Sequence, residues 1–151
     1  MRVLIHKRER TLRLMEGTAE LLRARIGLGR NPDGPKTRAG DSRTPEGIYG
    51  VCLVKTDGKY GRSLGLSYPN TADARAALQQ NAIDTAAFRA VESAALHHRR
   101  PPWGTALGGE IYIHEGGSHK DWTQGCIALD PADMDVLFPH AAEISEVEIL
   151  P

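Results

Sequence analysis

Two short runs near the start of the chain, "RVLIHK" and "TLRLME", alternate apolar with polar residues and flank the polar turn "RERT". Alternation with a period of two puts every second side chain on one face, so each run reads as a half-buried strand and the pair as a hairpin. The same signature recurs along the chain. "AELLRARIGLG" alternates less cleanly and reads as a third strand. "IYGVCLVK" reads as one further strand, with Ile48, Cys52 and Val54 on one face and Tyr49, Val51 and Leu53 on the other. "YGRSLGLSY" pairs beside it, "EIYIHE" is a buried strand, and "EVEIL" is a last strand. Sixteen glycines and nine prolines agree with a loop-rich, mostly β protein. Three of each fall within residues 30–47, "RNPDGPKTRAGDSRTPEG", which reads as an ordered loop.

One stretch breaks the pattern. Residues 70–99 contain "NTADARAALQQ" and "DTAAFRAVESAALHHRR", rich in helix formers, with Asn70 or Thr71 and then Asp84 as N-cap candidates. Phe88, Val91 and Leu96 make a loose apolar stripe, so this helical part should cover the sheet from one side. "DPADMDVLF" predicts a short helix capped by Asp130, with Pro131 at its first position. The expected fold is therefore mostly β (α+β), a sandwich-like core with one helical insertion around residues 70–99. The length of 151 residues suits a single domain, 1–151.

Charge narrows the function. Nineteen basic side chains balance nineteen acidic ones, whereas a nucleic-acid binder usually carries a basic excess. The opening "MRVLIHKRER" holds an apolar run too short for the core of a signal peptide and far too short to span a bilayer.

The chemistry concentrates in "IYIHEGGSHKDWTQGCIALD", residues 111–130, where His114 and Cys126 stand at the two ends of a polar, Gly-rich loop. A cysteine attacks carbonyl carbon as its thiolate, and a free thiol has a pKa of about 8.5. An imidazole close by takes the proton and later returns it to a leaving amine. Gly125 lets the chain turn sharply before Cys126, where backbone N–H groups could face a developing oxyanion. If His114 activates the thiol, alkylation of Cys126 should persist well below pH 8.5. Blander readings stand beside this one. Cys52, between Val51 and Leu53, reads as a small buried hydrophobe, and a Cys52–Cys126 disulfide is a further option. His114, His119, Asp121 and Cys126 supply metal-ligand types, but no pair has a recognised spacing. His6, His97, His98 and His140 read as surface or strand-edge residues, and His119 as a solvated loop residue. In papain-like enzymes the cysteine precedes the histidine, which is the reverse of the order here.

These residues resemble the YkuD-type L,D-transpeptidases of bacterial cell walls. The family signature is a strand ending in His-Gly, a loop, then Ser/Thr-His-Gly-Cys and an apolar residue; this chain has "IYIHEGG" and "TQGCIAL". Upstream, "KTRAGDSRTPEGIYGV" resembles the family's Gly-x-x-x-Thr-Pro-x-Gly element, and "VLIHKRERTLRLME" is similar to the opening strand pair. Three positions depart from the pattern: Gln124 stands where a histidine is usual, Ala128 where an arginine is frequent, and Glu115 where a glycine or serine is usual. "DWTQGCIAL" is similar to a subgroup with Asp-Trp-Thr before Gly-Cys.

The resemblance implies an L,D-transpeptidase β-sandwich and a site in which Cys126 is the nucleophile and His114 the proton acceptor and donor. It also implies that the Glu115 carbonyl orients His114 and that backbone N–H groups at Gly125 and Cys126 hold the oxyanion. Trp122, Thr123 and Gln124 would then border the substrate, and Tyr60 and Trp103 could join them. Gly40, Thr44, Pro45 and Gly47 read as scaffold. The implied partners are peptidoglycan stem peptides, with no metal, no cofactor and no nucleic acid, no membrane-spanning segment, and a monomeric chain. The implied place is the periplasm or cell wall of a bacterium; the sequence alone is also compatible with the cytoplasm. Water in place of an amine acceptor would make the same site an L,D-carboxypeptidase or another cysteine amidase.

Overall fold

A computed structural model describes all residues, 1–151. In chain order the elements are β1 (Arg2–His6), β2 (Thr11–Glu16), β3 (Ala19–Arg25), β4 (Gly47–Tyr49), β5 (Val51–Gly58), β6 (Gly61–Leu66), α1 (Thr71–Gln79) and α2 (Thr85–Leu96). They continue with β7 (Tyr112–His114), β8 (Ile127–Ala128), α3 (Pro131–Leu137), a 3-10 helix over Phe138–Glu143, and β9 (Glu146–Leu150). The fold is α+β, as expected, and both sheets are mixed.

The first sheet has the order β3-β2-β1-β9-β4. β1 and β2 pair antiparallel from Arg2↔Met15 to His6↔Thr11, the hairpin expected from the alternation. β9 adds parallel to β1, with Val3 opposite Val147 and Ile5 opposite Ile149. Val3, Ile5, Leu12, Leu14 and Val147 are completely buried on the inner face. On the outer face Arg2 bonds Glu146 at 2.9 Å and Glu148 at 3.1 Å. Period-two patterning thus decides both faces at once.

The second sheet runs β5-β6-β7-β8. Its apolar residues Leu64, Leu66, Ile113 and Ile127 share one core with those of the first sheet. "IYGVCLVK" is not a single strand. β4 pairs with β9 in the first sheet, whereas β5 pairs with β6 in the second. The chain changes sheets at Gly50, whose N–H donates to Ser67 Oγ at 2.8 Å and whose C=O accepts from Ser67 N–H at 2.9 Å. The two-faced assignment for Ile48 to Leu53 fails there, because residues on either side of the corner belong to different sheets.

Both expected helices of the 70–99 insertion form. Asn70 and Asp73 make a reciprocal capping box on α1, and Asp84 caps α2 through Ala87 N–H at 2.8 Å. Asp73 also accepts from Tyr49 Oη at 2.8 Å, which ties α1 to β4. Of the apolar stripe on α2, Val91 is buried, Phe88 packs partly on the core and Leu96 is 72% exposed. Asp130 precedes α3, but its carboxylate does not cap it. It accepts instead from Ser118 N–H at 2.8 Å and Ser118 Oγ at 2.9 Å, in the loop between His114 and Cys126.

The Pro- and Gly-rich loop of residues 30–47 is ordered around two buried ammonium groups. Lys7 Nζ donates to Gly34 C=O and Thr44 C=O, each at 2.8 Å, and to Glu46 at 3.0 Å. Lys36 Nζ pairs with Asp41 at 2.8 Å, and Asp41 also accepts from the N–H groups of Thr37, Arg38 and Arg43. A buried charge needs partners of this kind to remain buried. The loop therefore lies firmly against the region where Cys126 sits.

Candidate active site

Registry across the second sheet assembles the site. His114 lies opposite Ser63 on β6, and Tyr112 opposite Gly65. On the other side, β7 pairs parallel with β8, Ile113 opposite Ile127 and His114 opposite Ala128. One step back along that register sets Cys126 opposite Tyr112, and Tyr112 N–H donates to Cys126 Sγ at 3.4 Å. Paired residues share a face, so Tyr112, His114 and Cys126 project from one side of the sheet. Ile113 and Ile127 project from the other, fully buried in the core. His114 and Cys126 both line a cleft of about 710 Å³ whose walls include Tyr60, Trp103, Trp122, Thr123 and Gln124.

His114 is fixed on three sides. Its Nδ1 faces the Glu115 carbonyl oxygen, so Nδ1 carries the proton and donates. Nε2 then holds a lone pair, and it has no partner within the protein. Tyr60 stacks on the imidazole at 4.8 Å with 24° between planes, and Trp122 meets it edge-on at 5.5 Å. Burial pushes the His114 pKa down, opposed only by the Glu115 carbonyl, so the ring is neutral at pH 7.

Cys126 is a free thiol, as is Cys52, and no disulfide joins them. Its S–H donates to Glu110 C=O at 3.5 Å. Burial pushes this thiol up; the Tyr112 N–H and the Lys36 charge pull it down, while the Glu110 charge raises it further. The resting site therefore holds a neutral thiol and a neutral imidazole, not an ion pair. Desolvation is the largest of these influences and favours the thiol over the thiolate, so the expectation of thiol reactivity well below pH 8.5 rests on what substrate binding and His114 add.

The turn before Cys126 is locked by two hydroxyls. Thr123 Oγ1 donates to Cys126 C=O at 2.7 Å and accepts from Gly125 N–H at 3.1 Å. Thr44 Oγ1 donates to Gly125 C=O at 2.8 Å and accepts from Gly29 N–H at 3.1 Å. Gly125 has φ +137°, and a Cβ there would lie 2.7 Å from Arg43 O, so no other residue fits without a shift. Of the two backbone N–H groups expected at the oxyanion, that of Gly125 donates to Thr123 Oγ1, whereas that of Cys126 itself meets no protein acceptor.

The remaining expected residues divide. Trp122 donates its indole N–H to Gly117 C=O at 3.0 Å and forms the wall beside His114. Thr123 spends its hydroxyl on the loop. Gln124 is exposed at the cleft without a hydrogen bond of its own. His119 is exposed and not part of the cleft lining. Asp121 is engaged by Arg10 at 2.8 Å and by Leu28 N–H at 3.0 Å, which leaves it a structural carboxylate. The side chain of Glu115 turns away from the cleft and grips Arg62, 2.6 Å from its N–H and 2.8 Å from its guanidinium. That ion pair holds the Glu115 carboxyl below its usual range.

Sequence reasoning did not single out Ser63, Lys55 or Lys59, which also line the cleft. Their proximity follows from sheet register, and nothing local to "VKTDGKYGRS" announces it.

The comparisons place this fold among known proteins. Residues 1–149 match the YkuD family, the L,D-transpeptidase catalytic domain. The helical cell shape determining protein Pgp2 from Campylobacter jejuni superposes with TM-score 0.67 at 22% identity, covering 98% of this chain and 46% of that one. The L,D-transpeptidase from Xylanimonas cellulosilytica gives 0.55 at 14% identity, covering 98% and 59%. An L,D-transpeptidase from Mycobacterium smegmatis gives 0.53 at 10% identity, covering 99% and 58%. This chain thus spans about half the length of those structures, and at these identities the likeness is one of fold. A search among curated proteins finds no match. The family match spans residues 1–149, a stretch that contains both His114 and Cys126, and the chain belongs to the YkuD L,D-transpeptidase catalytic domain family.

Proposed function

We propose that the chain is a peptidoglycan L,D-transpeptidase working through a Cys126 thioester. The observation that supports this most is the contact of His114 Nδ1 with the Glu115 carbonyl, in a ring that lines the same cleft as Cys126. A carbonyl accepts only, so Nδ1 carries the proton and Nε2 is left as the base that can take the thiol proton.

In the proposed reaction Sγ attacks the carbonyl carbon of the L-centre before the terminal D-alanine of a stem tetrapeptide. The S–H swings from Glu110 C=O to His114 Nε2, which takes the proton as the C–S bond forms. The Cys126 N–H holds the oxyanion. The C–N bond then breaks, His114 returns its proton to the departing amine, and D-alanine leaves. An amine of a second stem attacks the thioester, its proton passes through His114 to sulfur, and a new amide results. A neutral starting pair suits this sequence, because the thiol becomes nucleophilic only as substrate fills the cleft and engages the base. Trp122 and Gln124 contact substrate in this reading, with Thr123 holding the turn.

The same site with water as acceptor is an L,D-carboxypeptidase, and the openness of the cleft around Gln124 keeps that reading in play. Peptidoglycan peptides as partners imply a periplasmic or wall location. No helix of the chain is long and apolar enough to cross a membrane.

Purified tetrapeptide muropeptides incubated with the protein, read by mass spectrometry, test the proposal. Loss of D-alanine with new cross-linked dimers supports the transpeptidase; tripeptides alone support the carboxypeptidase. Unchanged tetrapeptides with a folded, alkylatable protein would sink both.

A further inference from the structure

Although the chain as a whole is neutral, the cleft is not. Its lining contains Arg30, Lys36, Lys55 and Lys59 against a single carboxylate, Glu110. Lys36 is neutralised by Asp41. Lys55 and Lys59 enter no ion pair and instead lie over aromatic rings of the site, Lys55 Nζ 5.2 Å from the centre of Tyr112 and Lys59 Nζ 5.3 Å from that of Tyr60. Tyr60 is the ring stacked on His114, and Tyr112 is the residue whose N–H reaches Cys126 Sγ. Both ammonium groups are thus held at the cleft by the residues that frame the thiol and the imidazole.

Register says which side of the reaction they serve. Lys55 lies opposite Ser63, and Ser63 opposite His114, so the three occupy one row on one face. Strands are spaced about 4.8 Å apart, which sets Lys55 about 10 Å from His114 at the backbone. Cys126 stands at the opposite end of the sheet, next to β8. The order across the sheet is therefore nucleophile, base, hydroxyl, ammonium. The group that resolves a thioester must give its proton to His114 Nε2, so it approaches from the histidine side. Ser63 has its small side chain on that approach.

We infer that Lys55 and Lys59 form a subsite on the acceptor side of the cleft, one that engages a carboxylate several bonds from the amine that resolves the thioester. This rests on the thioester reading above and deepens it. In the step concerned, the amine nitrogen bonds to the thioester carbon, the C–S bond breaks, and the amine proton passes by way of Nε2 to sulfur. Lys55 and Lys59 take no part in bond making. They hold the acceptor's carboxylate, and Ser63 Oγ is placed to donate to it, so that amine outcompetes water.

Two acceptors differing only in that group make the test: Nα-acetyllysine and Nα-acetyllysinamide, each offering its side-chain amine to enzyme supplied with a tetrapeptide donor. The readout is the partition of the thioester between amide and hydrolysed product. The wild-type protein should prefer the carboxylate acceptor by roughly five- to tenfold, the scale of charge-assisted contacts at a partly exposed site. The double substitution Lys55→Gln with Lys59→Gln should bring that preference close to one. Arg89→Gln, on α2 and away from the cleft, should keep it.

No preference in the wild type, a preference that survives the double substitution, or a raised KM for the donor in place of the altered partition would each overturn the inference. If no thioester forms at all, it is the proposed function that fails. The subsite is then read in the resting protein by NMR titration: shifts with Nα-acetyllysine that are absent with the amide and lost in the double variant uphold it, and equal shifts with both refute it.

Discussion

The two sheets of this chain are held together in different ways. In the first, β1 and β9 pair over five consecutive positions, and the inner residues Val3, Ile5, Val147 and Ile149 are at most 1% exposed. Order there comes from long, redundant burial. In the second, β7 has three residues and β8 two, and the pairing of β5 with β6 shifts register twice. Burial alone does not set so short a ladder. Individual hydrogen bonds from loops do it instead: Thr44 and Thr123 at Gly125, Asp121 at Leu28, and Asp130 at Ser118. A site needs its groups fixed in one geometry, and single directional bonds supply that where apolar packing does not. Substitutions in the first sheet should therefore cost stability, and those around the end of the second should cost chemistry.

The sharpest way to break this contrast is at the two thiols. Cys126→Ala should abolish turnover, a loss on the order of a thousandfold or more as for other covalent nucleophiles, while the melting curve stays close to wild type. Cys52, half-buried near the sheet-crossing corner at Gly50, should lose some packing on replacement by alanine and keep its activity. A carbapenem, which the family resemblance makes an acylating agent, should leave its adduct on the peptide containing Cys126. Equal loss of turnover in both folded variants would end the assignment of chemistry to the β7–β8 edge.

His114→Gln comes next, with a fall in turnover on the order of a hundredfold, the usual scale of general acid–base catalysis. The pH profile carries more information than the size of the loss. Burial holds the folded His114 below its ordinary value of 6.5, so the ring stays a competent base as pH falls through 6.5 and is lost only at lower pH. Burial holds the Cys126 thiol above the ordinary thiol value, so iodoacetamide should react slowly with resting protein at neutral pH. Reactivity should climb only in the alkaline range. Fast alkylation at pH 6 would mean that the resting site is an ion pair after all. His119→Gln, in the same loop but outside the cleft lining, should leave the rate as it is.

How much of this was legible in the sequence follows the same division. The alternation in "RVLIHK", "TLRLME" and "EVEIL" predicts the first sheet's strands, because there one periodic pattern and one buried face coincide. The helices at 70–99 were legible from their caps. The change of sheet at Gly50 was not: a strand that leaves one sheet for another keeps its composition, and only the pairing partners reveal the corner. At the site, His114 and Cys126 were visible as residue types at the ends of a Gly-rich loop. The partners of Gly125 were not, since a backbone N–H carries no sequence signal and Thr44 lies far away along the chain. The neutral state of the pair was equally hidden, because it depends on how much protein crowds the sulfur and the ring.

Stability tests the first sheet. Ile5→Ala removes a fully buried side chain opposite Ile149 and should cost about 2–5 kcal/mol in denaturant unfolding, the range for such cavities. At a temperature where the variant is folded, its kcat should remain near wild type. A variant that unfolds normally but loses turnover as severely as His114→Gln would show that the two sheets are not separable in this way.

Thr44→Val is the smallest of these changes and the most discriminating. Valine keeps the shape of threonine and removes only the hydroxyl, so it leaves Gly29 N–H and Gly125 C=O buried without their partner. Each unsatisfied group of this kind costs about 1–3 kcal/mol, and the loss should show as a lower midpoint with an unchanged denaturant slope. Thr44 belongs to neither sheet, yet it ties the loop of residues 30–47 to the turn that presents Cys126. Its hydroxyl should therefore matter to both quantities at once: a modest loss of stability together with a fall in kcat smaller than that of His114→Gln. Thr44→Ser restores the donor and acceptor without the methyl group, so it should recover most of kcat while still unfolding somewhat early. Stability and kcat recovering in parallel would make Thr44 ordinary packing. Recovery of kcat ahead of stability is what a hydroxyl that positions the Gly125 turn requires.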